Sequence, residues 1–111
     1  MRQSQTAIIE RNIAWQGAFE TEPYEAAWAS EAIFFVRTLD VVGRLDDVTV
    51  RVQISPDGIR WCDEGTVVSL SDQVDGVTFG KVSHFGTFLR FVGELPEGVT
   101  VTVIVALSLK E

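Results

Sequence analysis

Several residue types are scarce in this 111-residue chain, and each scarcity removes a class of chemistry. A single cysteine, Cys62, closes no intrachain disulfide, which fits a reducing compartment or a secreted or virion protein that does without one. The one histidine, His84, sits beside Ser83. Adjacent strand residues point to opposite faces, so the two make no nucleophile–base dyad. One histidine and one cysteine also fall short of a transition-metal site. Lysine occurs only as Lys81 and Lys110, and the formal net charge is −7. A surface of that sign repels nucleic-acid backbones and anionic membranes, so neither is an expected partner. The longest apolar runs, residues 32–36 and 103–107, have five residues each and are too short to cross a bilayer. Glu10, Arg11 and Asn12 interrupt the only stretch where a signal core would lie. The expectation is a soluble, cytoplasmic or virion-associated protein made without a cleaved export signal. Gly-x-Ser-x-Gly elbows and Gly-rich phosphate loops are missing too.

What the chain does have is alternation. Hydrophobic residues make up 46%, enough for a core in one domain over residues 1–111. In residues 48–55, Val48, Val50, Val52 and Ile54 face one way, and Thr49, Arg51, Gln53 and Ser55 the other. That is the pattern of a half-buried strand. Pro56-Asp57-Gly58 turns the chain, and Ile59, Arg60 and Trp61 are expected to begin the return strand. Residues 99–109 alternate over the longest span, with Val99, Val101, Val103, Val105, Leu107 and Leu109 on one face. Ile104 and Ala106 on the other face point to partial cover there as well. A strand this long needs a central place or a guarded edge. Residues 32–41 are apolar on both faces at their start and read as a central, buried strand. Further strands are expected over residues 7–14, 19–21, 66–70, 77–85 and 87–94, with residues 1–6 frayed and residues 71–76 a loop. Residues 22–30 admit a two-turn helix with Pro23 in its first turn, or an extended segment with a bend; the β-rich surroundings favour the second. The fold class is therefore all-β, an antiparallel, jelly-roll-like sandwich of about eight strands.

The residues that offer chemistry are few. Trp15, Trp28 and Trp61, with Tyr24, are large amphipathic rings, suited either to core and subunit packing or to stacking on a sugar. Asp72 and Asp75, in the loop of residues 71–76, are candidates for a hard cation such as calcium, against the plainer reading of solvated loop carboxylates; Asp46-Asp47 and Asp63-Glu64 are similar. None has EF-hand spacing. The same carboxylates supply no acid pair of defined separation, so a glycosidase has little to stand on. Cys62 is followed by Asp63 and Glu64, which oppose thiolate formation.

Ser55-Pro56-Asp57-Gly58-Ile59-Arg60-Trp61 resembles the Ser-x-Asp-Gly-x-x-Trp hairpin of discoidin-like, galactose-binding-like sandwiches. Together with Gly86-Thr87-Phe88-Leu89-Arg90 and the Val/Thr-rich last strand, it is similar to small phage-type β-sandwich proteins. Discoidin domains are longer and usually close their termini with a disulfide, which this chain lacks the cysteines to form. The phage-type resemblance implies a virion surface or decoration role. The resulting expectation is a non-enzymatic, self-associating structural protein, possessing no cofactor and partnered by copies of itself or by another assembly protein. The alternative is a small carbohydrate-binding module using Trp15, Trp28 or Trp61.

Overall fold

A computed structural model describes residues 3–111. The alternating segments form nine strands: β1 (Ser4–Trp15), β2 (Ala18–Glu20), β3 (Tyr24–Glu25), β4 (Glu31–Val42), β5 (Thr49–Ser55), β6 (Cys62–Ser69), β7 (Val77–Ser83), β8 (Phe88–Glu94) and β9 (Thr100–Lys110). They make two antiparallel sheets, β1-β9-β4-β7 and β2-β8-β5-β6, with β3 also pairing β8. The pairings nest: β5 with β6, β4 with β7, β2 and β3 with β8, and β1 with β9. A long hairpin rolled up on itself gives this pattern, and the β4–β9 and β5–β8 ladders close the roll. This is the jelly-roll arrangement. Among the described residues no helix is long and apolar enough to cross a membrane.

The alternating residues of β9 explain its place. Val101, Val103, Val105, Leu107 and Leu109 are fully buried between the sheets, and β9 lies between β1 and β4 with both edges paired. Burying each such side chain contributes roughly 1.5–3 kcal/mol before entropy is counted. Across the core, the rings of Phe34 on β4 and Phe91 on β8 meet with centroids 4.1 Å apart. At one end Trp15 stacks on Phe19, also at 4.1 Å and 12° from parallel.

The sheets are tied at both open sides. Gln5 Nε2 donates to the Tyr24 hydroxyl, and Glu22 N to Glu10 Oε1, linking β1 to the β2–β3 edge. On the far side Thr66 Oγ1 donates to Lys81 O. There β6 and β7 approach so closely that a Cβ on Gly80 would lie 2.5 Å from Val68 Cγ2. Among the described residues the three buried polar ones, Thr21, Thr38 and Ser55, are all hydroxyl-bearing, and each has a hydrogen bond. Buried polar groups are tolerated on that condition.

Several sequence expectations need correction. Residues 4–6 are not frayed, because β9 runs on to Lys110 and pairs with them, Ser4 opposite Lys110; Met1 and Arg2 lie outside the described residues. Ile59, Arg60 and Trp61 do not start the return strand. The Ser55 hydroxyl accepts from the Asp57 and Gly58 amides, and the Asp57 carboxylate accepts from the Ile59 and Arg60 amides. This side-chain-closed loop consumes the backbone donors, so β6 begins at Cys62 and is longer than expected. Those two amides are the main reason the Asp57 carboxyl sits at a pKa of about 2. His84 is not on a strand. It follows β7 with φ of 56°, a turn conformation. Residues 22–30 are extended, with β3 followed by a bend in which Ala29 N donates to Ala26 O.

Candidate functional site

The first sheet has an inner face packed into the core and an outer face that none of the described residues covers. Strand register places Ile8, Ala106, Phe35 and Phe79 side by side across β1, β9, β4 and β7. Alternation turns all four outward, since their strand neighbours Leu107 and Phe34 are core residues. Phe79 is 57% exposed and Ile8 44% exposed. The rings of Phe35 and Phe79 lie 6.2 Å apart. Ile33 and Ser108 occupy the next row on β4 and β9, and Arg37, Ile104 and Val77 share the row on the other side. The result is a continuous apolar band across a whole sheet. The expected burial of β4 on both faces is therefore corrected: β4 is central within its sheet, but Phe35 and Ile33 are only half-buried.

This face also holds both lysines. Lys81 pairs with Ile33 and Lys110 with Glu31, each exposed, and neither makes an ion pair among the described residues. Arg37 is neutralised by Asp75, whose Oδ1 accepts from Nε at 3.1 Å and Nη2 at 2.7 Å. A chain of net charge −7 thus keeps its two lysines at the border of its apolar face.

The outer face of the second sheet is different in kind. Arg90 on β8 pairs across β5 with Gln53, and Gln53 with Asp63 on β6. Arg90 Nε and Nη2 donate to Gln53 Oε1, and Nη1 donates to Glu20 Oε2 at 2.6 Å. The Trp61 ring covers the guanidinium at 4.2 Å. Gln53 Nε2 and Arg51 Nε both donate to Asp63 Oδ1, which holds the Asp63 carboxyl below its usual pKa. A shallow cleft of about 430 Å³ lies over this network.

The sequence candidates are scattered. Trp15 is 2% exposed and stacked on Phe19, so it belongs to the core and offers no ligand face. Trp28 is half-buried against the same core. Trp61 is half-buried on the opposite side, over Arg90. No shared platform exists for the three. Asp75 Oδ1 is held by the Arg37 guanidinium, and Asp72 Oδ1 accepts from Gln73 Nε2. Among the described residues no group of three or more metal-ligating side chains occurs. The loop instead braces β4: Thr38 Oγ1 donates to Ser71 O, and Asp75 N to Thr38 O. Cys62 is exposed. Sequence reasoning missed the apolar band, although Ile104, Ala106 and the doubled Phe34-Phe35 were its signal. It also missed the Arg90 network, which draws side chains from β2, β5, β6 and β8.

No protein-family profile matches the chain, and no curated protein matches it in sequence. Among solved structures, the SPBc2 prophage-derived protein YomS is similar in fold, with a TM-score of 0.59 and 11% identity over 100% of this chain and 96% of that one. The likeness is to a prophage-derived protein and concerns the fold alone.

Proposed function

We propose that this chain is a structural protein of a phage-type assembly, acting by contact rather than catalysis, and that copies of it associate through the outer face of the first sheet. The observation that carries this reading is the uncovered band Ile8, Ala106, Phe35 and Phe79, which spans all four strands. Exposed apolar patches with polar borders mark interaction surfaces. The prophage origin of the fold neighbour supports the phage-type setting. Lys81 and Lys110 beside the band favour an acidic counterpart, and the remaining surface of this chain is acidic. The band therefore docks on a different surface of the next copy. Such head-to-tail contacts close into rings or continue as stacks. Light scattering on the purified chain tests the reading: it predicts a mass well above that of one 12.3 kDa chain.

A further inference from the structure

The cleft on the second sheet lies away from the proposed contact face and has its own logic. Its lining includes two cations, Arg51 and Arg90, and two anions, Glu20 and Glu94. With Asp63, which pairs with Arg51, the anions slightly outnumber the cations, so the cleft has no net attraction for phosphate or sulfate. Its volume, about 430 Å³, falls at the small end of the range for small-molecule sites, about 300–1,000 Å³. Ala18, Phe19 and the largely buried Val92 make up its apolar floor.

The polar groups are held ready. Arg90 is only 16% exposed, fixed by Gln53, Glu20 and the Trp61 ring. Arg51 donates to Asp63 through Nε alone, which leaves its terminal amino groups without a partner among the described residues. Glu20 uses Oε2 for Arg90 and keeps Oε1 open. Donors and acceptors thus stand within one cleft, and Arg90, held on three sides, has little rotamer entropy left to lose on binding. A hydroxyl group both donates and accepts, and a pyranose ring adds an apolar C–H face to match the floor.

We infer that this cleft binds a neutral, hydroxyl-rich ligand, one or two sugar units of a glycan, with Arg51 and Glu20 as its hydrogen-bonding residues and Val92 beneath it. The site differs from the tryptophan platform read from the sequence; Trp61 acts here only by positioning Arg90.

The test is a ¹H–¹⁵N NMR titration of the intact protein with cellotriose, maltotriose and chitotriose. A heparin tetrasaccharide, inorganic phosphate and a mixed tripeptide serve as comparison probes. The inference predicts saturable shifts of the Arg51 Nε–H and the Gln53 side-chain amide with at least one neutral trisaccharide. It predicts binding at least about tenfold weaker in Arg51→Ala, a half-exposed position whose loss leaves the fold intact. Glu20→Ala removes the acceptor and is expected to weaken binding likewise. No response to any of the three neutral sugars overturns the inference. So does a response confined to the anionic or peptide probes, or one that persists at full strength in Arg51→Ala. Self-association is read separately from the mass, so either result stands without the other.

Discussion

Thr21 and Phe91 exchange two hydrogen bonds of unequal kind: Thr21 N donates to Phe91 O, and Phe91 N donates to the Thr21 hydroxyl, both at 2.9 Å. The pair sits where the edge strand breaks between β2 and β3. A side chain takes over the ladder where the backbone carbonyl has turned away. The central strand β8 thereby keeps its pairing across the gap.

Replacing Thr21 by Val leaves the Phe91 amide buried with no acceptor. The expected cost is about 1–3 kcal/mol, while Thr21→Ser retains most of the stability. Urea denaturation of the three proteins checks this, with an unchanged slope showing that the folded state itself is not altered.

The Asp57 loop makes stability depend on pH in one direction. Asp57 is held at a pKa of about 2, against an ordinary 3.8, by the Arg60 and Ile59 amides, with lesser help from Ser55 and the Arg60 side chain. A depressed carboxyl stabilises the fold fully above its unfolded value. That contribution fades as pH falls from about 4 through about 2. Asp57→Ala is therefore expected to lower the melting temperature at neutral pH, with the gap to the parent closing in strong acid. A gap that stays constant down to pH 2 contradicts the account.

Gly80 lets β7 reach β6. Gly80→Ala places a methyl group against Val68, a buried neighbour, and is expected to cost about 1–3 kcal/mol. Combining it with Val68→Ala opens room for that methyl. The double variant should be less destabilised than the two single effects summed, a coupling that a double-mutant cycle measures.

Much of this fold was legible because strands announce themselves locally. The alternation of residues 99–109 placed six buried side chains correctly, and Pro96 and Gly98 marked the turn before them. The polar run of residues 71–76 was a loop, as its composition requires. Ends were harder. Ser4, Gln5 and Thr6 look like a polar tail and become strand only because a distant segment offers them partners. The loop after Ser55 defeated a turn reading because Asp57 satisfies amides that a hairpin would have used.

The proposed contact face and cleft were mostly hidden for the same reason. Ile8, Phe35, Phe79 and Ala106 are neighbours through register between strands far apart in sequence. Large rings drew attention instead, yet Trp15 fills the core, where aromatic rings contribute most. Asp75 is conspicuous in a loop, but its partner, Arg37, lies 38 residues away.

The measurement that bears most directly on the central claim is absolute mass by light scattering across a concentration series, for the parent chain and for Phe79→Asp. Phe79 is exposed on an edge strand, so the substitution leaves the core intact, and circular dichroism should be unchanged. The account predicts an oligomer for the parent and a 12.3 kDa monomer for the variant. A parent chain that stays at 12.3 kDa at every concentration, or a variant that associates as strongly as the parent, would contradict it.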